Sequence, residues 1–288
     1  MRFAVTVVLW LATSVALAVA VPAAWAQLHV IDEDGYAAMA RQAAADPALQ
    51  SAMASELTTR AMALIAAHGG GRYAVDSAQV HDAARVFTAG PAFPPLFAQA
   101  NRAVHGWLFT SPPPGGGGDP WVVDVAPMLK DGAIAALLSR HHVTVPATLT
   151  VPVAESLPHS WRQGRLSRFT TWGPWLSVGA VALCGCCALL TLVAARRRGK
   201  ALSSLGVSAL LVGALGWAGI EIGRRPLGDA LNRTTGDVRA IADVMVRHAE
   251  AGLHHWLNLS LLTGGALVGL GVLVAVAGGL RGRPGPSR

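Results

Sequence analysis

Four long apolar runs stand out from an otherwise amphipathic pattern. They occupy residues 3–21, 175–195, 201–220 and 256–280, and none of them contains a charged side chain. A helix of about 20 apolar residues crosses the roughly 30 Å of membrane hydrocarbon, so each run is long enough to span it. Because backbone groups find no water in lipid, each run is predicted to be helical. The pattern predicts a mainly α fold, with an N-terminal signal or anchor helix, a helical extracytoplasmic domain and then three transmembrane helices.

The first run allows two interpretations. Arg2 precedes it as a minimal basic region, and Ala24 and Ala26 form the small-x-small pattern that a signal peptidase accepts. Residues 1–26 are therefore either a cleaved signal peptide or a retained first transmembrane helix, for which the run is long enough. Both interpretations place the residues that follow outside the cytoplasm.

Residues 27–170 form a domain-sized polar part with a mostly helical pattern. Asp32 and the pair Asp46-Pro47 are typical helix starts, since Asp caps the first turn and Pro fits its first position. Behind Pro47, apolar residues at spacings of three and four predict one buried face. This face consists of Leu49, Met53, Leu57, Ala61, Leu64 and Ile65. Residues 143–153 alternate in polarity and contain two prolines, which favours an extended segment or edge strand.

The segments around the last two apolar runs complete the predicted organisation. The third transmembrane helix is expected at 201–221, and residues 222–255 form a second extracytoplasmic segment with an amphipathic pattern. Its helix either lies on the membrane surface or docks on the main domain. Residues 256–280 form the last span, and 281–288 a cytoplasmic tail.

Composition and charge support the membrane assignment. Of 288 residues, 52% are hydrophobic and only 14% are charged, which argues against an ordinary soluble enzyme. If Arg2, residues 196–200 and the tail face the cytoplasm, that side carries eight cations and no acid. The net charge of +7 then divides into about +8 inside and −1 outside. The basic balance thus indicates topology, and no nucleic-acid partner is expected.

The order of short motifs resembles a family of uncharacterised multi-pass membrane proteins of actinobacteria. These motifs are residues 32–36 (DEDGY), 45–52 (ADPALQSA), 99–105 (QANRAVH), 122–127 (VVDVAP) and 152–157 (PVAESL). The resemblance covers most of the chain in layout. It implies a first hydrophobic segment, one helical extracytoplasmic domain and further spans, but no particular chemistry.

Candidate catalytic and metal-binding groups are few. Cys184, Cys186 and Cys187 lie within one apolar run, where small polarizable side chains are typical of helix–helix contacts. They depart from the family pattern, as does the glycine run at 115–118. Neither a zinc-type spacing nor a nucleophile motif is present. Asp124 with His105 or Asp82 is the weak acid–base option. We therefore expect no enzyme activity, no metal and no cofactor.

Two polar groups are candidate contact sites. Asn101, Arg102 and His105 lie on a predicted helix of residues 96–108, either as a polar face with local hydrogen bonds or as a binding site. Arg162, Arg165 and Arg168 follow one another at spacings of three near Trp172 and Trp175. That pattern is typical of a collar that binds lipid headgroups, with a partner site as the alternative.

Small residues in the last spans predict close helix contacts. Gly265 and Gly269 form a GxxxG motif to which Gly271 adds another small residue, and Ala209 and Gly213 form a similar pair. Such motifs favour packing within the bundle and also allow a homo-oligomer. Glu221 precedes Arg224 and Arg225 by three and four residues, which favours a local ion pair over a transport site.

These observations lead to a non-enzymatic hypothesis. The protein is expected to be anchored in the lipid bilayer and to bind or scaffold another envelope or membrane component through its extracytoplasmic domain. The alternative is an accessory subunit of a transporter or channel, which the short link between the second and third spans favours. The lack of charge within the spans argues against that alternative.

Overall fold

The fold is mainly α, as predicted. The structure is a computed structural model that describes residues 2–69, 76–110, 122–130, 132–140, 143–152, 164, 166–195, 198–231 and 236–281. Four described helices, one of them near the N-terminus, are long and apolar enough to cross a membrane. Contacts divide the chain into an apolar bundle (Met1–Gln27, Thr171–Arg225 and Glu250–Arg288) and a helical domain (Leu28–Thr170 and Pro226–Ala249).

Ten helices and two short strands make up the described parts of the chain. In chain order they are α1 (Arg2–Ala26), which a π-helical turn (Gln27–Ile31) follows, α2 (Glu33–Ala43), α3 (Pro47–Gly69), α4 (Ser77–Thr88), α5 (Phe93–Phe109), β1 (Val122–Asp124), α6 (Ala126–Leu129), α7 (Gly132–Arg140), β2 (Thr150–Pro152), α8 (Ser167–Ala194), α9 (Arg198–Leu231) and α10 (Gly236–Arg281).

The helix bounds around the apolar runs are wider than the sequence pattern suggested. α8 begins at Ser167 rather than at residue 175, with Pro174 inside the helix. α10 is one helix of 46 residues, although the predicted amphipathic segment 222–255 and the predicted span 256–280 meet within it. The change from amphipathic to fully apolar residues at 255 involves no helix-breaking residue, so the backbone ladder continues through it.

Glycines bring α9 and α10 into close contact within the apolar bundle. A Cβ placed on Gly206 would lie 2.6 Å from the carbonyl oxygen of Gly264, and one on Gly271 would lie 2.6 Å from that of Gly199. Without side chains at these positions, the two backbones can approach each other, as small residues permit in lipid. Gly265, from the predicted GxxxG motif, has no heavy atom within 4 Å of its Cβ position, and neither has Gly269. The prediction that this motif packs within the bundle was therefore wrong.

Polar side chains hold α1 against α9. The indole nitrogen of Trp10 donates to the carbonyl oxygen of Ser204 at 3.0 Å. The hydroxyl oxygens of Ser14 and Ser208 lie 2.8 Å apart, and Ser208 is buried. In an apolar surrounding, such hydrogen bonds select one face and one register between two helices.

Predicted start signals place the first helices of the helical domain. The Asp32 carboxylate accepts from the backbone nitrogen of Gly35 at 2.8 Å, and that of Asp46 accepts from Ala48 at the same distance. Asp76 caps α4 in the same way. Each carboxylate satisfies a first-turn N–H that has no partner in the helix, and the predicted starts of α2 and α3 are confirmed.

The core of the helical domain contains the face that the spacing on α3 predicted. Leu49, Met53, Leu57, Ala61, Leu64 and Ile65 are all buried. Val244 of α10 is buried in the same apolar cluster, and Ile241 and Met245 pack against it. Of the two interpretations of segment 222–255, docking on the main domain therefore describes residues 236–249.

A short antiparallel ribbon completes the helical domain. β1 pairs with β2, with Val123 opposite Val151, and β2 lies within the segment 143–153 that the pattern predicted to be extended. An oxygen of Asp124 accepts from the backbone nitrogens of Ala126 at 2.9 Å and Leu149 at 2.8 Å. This carboxylate thus holds the start of α6 and the partner strand together.

Candidate apolar ligand site

A cavity of about 300 Å³ lies in the helical domain. Residues of α2, α3, α5, β1, α6 and α10 form its wall. Its volume is at the lower end of the roughly 300–1,000 Å³ that is typical of small-molecule sites. Because α10 contributes Ile241 and Met245, the wall requires the segment that reaches the domain after α8 and α9.

The wall is mainly apolar and rich in methionine. Met53 from α3, Met128 from α6 and Met245 from α10 all line it, which is half of the six methionines of the chain. Phe97 and Val104 of α5 add further apolar surface. Methionine has three rotatable bonds and a polarizable sulfur, so a wall of this kind adapts to apolar ligands of varied shape.

Three polar side chains interrupt this wall. The hydroxyl of Tyr36 lies 3.4 Å from the amide oxygen of Asn101, and the Asn101 amide nitrogen donates to the carbonyl oxygen of Phe97 at 2.9 Å. Burial raises the pKa of Tyr36 above its ordinary value, so its phenol stays a neutral donor near pH 7. The third polar side chain is that of Glu56, which is only 11% exposed.

Glu56 forms an ion pair one turn along α3. Its Oε1 accepts from Nε of Arg60 at 2.8 Å, and the Arg60 side chain is one-third exposed. A buried carboxylate needs such a partner because desolvation of an unpaired charge is costly. Oε1 accepts the hydrogen bond that the structure describes for Glu56, and the residue is the one charged member among the described residues of the cavity wall.

The three residues of the predicted polar face on α5 point to three different environments. Asn101 lines the cavity. Arg102 is exposed and pairs with Asp34 at 3.0 Å. His105 is buried, and its Nε2 donates to the carbonyl oxygens of Val30 and Ile31 at 3.1 and 3.0 Å. The three side chains therefore do not form one site, and Arg102 and His105 contact α2 and the π-helical turn rather than their own helix.

His105 has a structural role in these contacts. Both acceptor carbonyls belong to the π-helical turn, where the regular hydrogen-bond pattern of the helix changes. The imidazole also stacks on Phe109, with ring centroids 4.3 Å apart. The pattern offered a signal for this burial, since His105 falls four residues before Phe109 and eight after Phe97, on the buried face of α5.

The three groups considered for acid–base chemistry have different partners and do not contact one another. Asp124 accepts from two backbone nitrogens in the ribbon, and His105 donates to the π-helical turn. Asp82 is exposed and lies 3.9 Å from Arg85 on its own helix. Among the residues that the structure describes, no group of three His, Cys, Asp or Glu side chains could hold a metal ion.

The arginine collar is only partly visible. Arg168 is exposed in the first turn of α8, whereas Arg162 and Arg165 lie outside the described residues. The predicted pair of Glu221 with Arg224 is present at 3.3 Å. Arg224 also pairs with Glu250 of α10 at 2.8 Å, a contact that spacing along α9 does not reveal.

Most of the cavity wall was missed by sequence reasoning, which singled out Asn101 alone among its residues. Met53, Met128 and Met245 come from separate parts of the chain, and each fits the apolar pattern of an ordinary core residue. Comparison of the chain with protein-family models, with curated proteins and with solved structures found no match. The cavity is therefore interpreted from its own geometry.

Proposed function

We propose that the protein is a multi-pass membrane protein of the cell envelope whose helical domain lies outside the cytoplasm and binds an apolar molecule without transforming it. The observation that carries this proposal is the methionine-rich cavity, which has the volume and lining of a small-molecule site. Asp124 and His105 already form hydrogen bonds with backbone groups of the domain, which supports binding rather than catalysis.

The composition of the helical domain supports the proposed topology. Along the sequence, its two chain segments, Leu28–Thr170 and Pro226–Ala249, lie before and after the apolar parts of α8 and α9. Two crossings return the chain to the side from which it left, so both segments share one side if both helices span. The cations at residues 196–200, which include Arg198 and Lys200 in the first turn of α9, favour the cytoplasm for the α8–α9 link.

The packing of α1 supports its retention as an anchor. Trp10 and Ser14 form specific hydrogen bonds with α9, and Ala16 and Ala20 are buried. α1 also continues as helix to Ala26, across the residues that a signal peptidase would recognise. Cleavage would remove these contacts, so we propose four spans. Intact-mass measurement of the purified protein is expected to include residues 1–26, and a mass that begins at Gln27 would overturn this part.

Orientation is testable with single cysteines. The three native cysteines lie in α8 and are first replaced by serine. Ala66→Cys on the exposed face of α3 and Lys200→Cys in the first turn of α9 then report on the two sides. With a membrane-impermeant maleimide on intact cells, Ala66→Cys is expected to react and Lys200→Cys to react only after permeabilisation. The reverse labelling pattern would invert the topology.

Binding is tested by identifying the molecules that stay bound to the protein after purification. Full-length protein is extracted from its own membranes into nanodiscs and analysed by native mass spectrometry after exchange of bulk lipid. A stoichiometric apolar molecule is expected with wild type and is expected to be lost in Ala242→Phe, which fills the cavity wall. Ala66→Phe, on the exposed face of α3, is the matched control. Equal retention by both variants would contradict the proposal.

The transporter-accessory alternative has less support from the bundle. The buried hydroxyls of Thr191 and Ser208 donate to backbone carbonyl oxygens of their own helices, those of Cys187 and Ser204. Side chains that satisfy their own helix are typical of packing rather than of a solute path. Solute flux through the reconstituted protein would reverse this preference.

A further inference from the structure

We propose that the cavity binds the single hydrocarbon chain of a neutral, hydroxyl-bearing amphiphile, of the monoacylglycerol type, drawn from the bilayer. This inference rests on the proposed function and specifies its ligand. It follows from two properties of the wall: the shape and adaptability of its apolar part, and the charge of its polar part.

The apolar part favours one slender chain. About 300 Å³ accommodates about ten methylene groups if each needs about the 30 Å³ that a water molecule takes in the liquid. The volume therefore matches one such chain, and most of a bulky ring system or a two-chain lipid would remain outside it. Met53, Met128 and Met245 can follow a flexible chain, because their own side chains are unbranched and flexible.

The polar part favours a neutral donor on the ligand. Oε2 of Glu56 is an acceptor, and the wall contains no described lysine or arginine that would attract an anion. Glu56 and Arg60 already form an ion pair with each other, so the described wall offers no unpaired cation to a ligand carboxylate or phosphate, which would lose its hydration on binding. A hydroxyl group satisfies the same acceptor without a charge, and the amide of Asn101 can accept or donate beside it.

A cationic head is disfavoured for a different reason. Arg60 already supplies the positive partner of Glu56 at 2.8 Å. An added ammonium group would lose its hydration and find that carboxylate shared with a guanidinium. The hydroxyl head therefore fits this wall better than either charged head.

The first test compares three ligands with equal chains. Full-length protein in phosphatidylcholine nanodiscs is photolabelled with a diazirine-bearing monoacylglycerol, and decanoylglycerol, decanoate or decyltrimethylammonium is added at equal bilayer mole fractions. Labelled peptides are expected from α3, α5 and residues 236–249 of α10. Decanoylglycerol is expected to compete at least about tenfold better than decanoate at pH 7, a ratio that corresponds to about 1.4 kcal/mol. Equal competition by all three would overturn the ligand class.

A charge variant tests the role of the carboxylate. Glu56→Gln keeps the shape and an acceptor oxygen but removes the negative charge. Competition by decanoate is expected to rise towards that of decanoylglycerol, while the labelled peptides stay the same. An unchanged preference for decanoylglycerol would show that Glu56 does not select the head group and would overturn this part.

A filling variant tests the location. Ala242→Phe is expected to abolish labelling, with Ala66→Phe as the matched control. If Ala242→Phe fails to fold, Ala100→Val narrows the same cavity more gently and is expected to reduce labelling severalfold. If native membranes yield a bound apolar molecule of another class, the ligand class fails and the proposed function stands. If no molecule binds, both fail.

Discussion

The apolar bundle and the helical domain achieve close packing by opposite means. In the bundle, α9 and α10 meet at glycines, and α1 meets α9 through Trp10 and Ser14. In the helical domain, large side chains such as Phe93 and Leu57 fill the space between helices. Burial from water drives the second kind of packing. For helices that lie in lipid, as proposed for the bundle, the surroundings are as apolar as the side chains, and contact geometry and hydrogen bonds drive the packing instead.

The largest expected effect breaks the core of the helical domain. Phe93 is fully buried between Phe87 and Phe97. Phe93→Ala is expected to destabilise the domain by about 3–5 kcal/mol, because it removes apolar contacts and leaves a cavity. Hydrogen exchange of the full-length protein in nanodiscs is expected to show lost protection in α4 and α5.

The control for this prediction is Val86→Ala. Val86 is 66% exposed on α4, so its change is expected to stay within about 0.5 kcal/mol. Protection of the Arg198–Arg224 part of α9 is expected to persist in Phe93→Ala. Equal loss of protection in both units would show that they do not unfold separately.

The next effect tests the glycine contact of the bundle. A Cβ on Gly264 would lie 2.8 Å from the carbonyl oxygen of Gly206, whereas one on Gly265 would meet no heavy atom within 4 Å. Gly264→Leu is therefore expected to lower bundle stability by about 3 kcal/mol, which thermal unfolding in detergent would measure. Gly265→Leu makes the same chemical change one residue further and is expected to leave Tm unchanged or raised. A larger loss at Gly265 would place the contact on the predicted motif after all.

A smaller loss of stability is expected for His105 than for the two destabilising changes above, and a still smaller one for its neighbour Arg102 on α5. His105→Ala leaves two carbonyl oxygens of the π-helical turn without their donor and is expected to cost about 2 kcal/mol. His105→Gln keeps a donor and is expected to recover part of this loss. Arg102→Ala removes only exposed ion pairs, with Asp34 and Glu33, and is expected to cost less than about 1 kcal/mol. Thermal unfolding of the three variants decides the order, and an equal loss for Arg102→Ala would contradict the structural role of His105.

The smallest expected effect concerns the seam between α1 and α9. A double-mutant cycle on Ser14→Ala and Ser208→Ala is expected to give a coupling energy of about 0.6 kcal/mol, as is typical of hydrogen bonds within membranes. Ser260, which donates to Trp256 on its own helix, provides a control with Ser14 that is expected to show no coupling. Absent coupling between Ser14 and Ser208 would remove this support for a retained α1.

Features that repeat along one helix were predictable. The spacing from Leu49 to Ile65 identifies the buried face of α3, and Asp32 and Asp46 identify helix starts. These signals are local, since periodicity and capping depend on residues within a few turns. The four apolar runs are equally local, and so the mainly α fold followed from them.

Features that depend on which faces meet were not predictable. α10 carries small residues on more than one face, so the pattern favoured Gly265 and Gly269 although Gly264 and Gly271 make the contact. The cavity depends on six elements spread between residues 36 and 246, and Glu56 and Met245 look ordinary within their own helices. Tertiary packing, rather than local preference, decides both cases.

The discontinuous helical domain imposes an order on its biogenesis. Leu28–Thr170 leaves the ribosome well before Pro226–Ala249, which supplies Val244 to the core and Met245 to the cavity wall. At a synthesis rate of about 5–20 residues per second, the intervening residues of α8 and α9 take about 3–11 s. During that interval the first segment lacks the residues of α10 that cover part of its apolar core. The cavity is therefore complete only after α8, α9 and the first part of α10 have been synthesised.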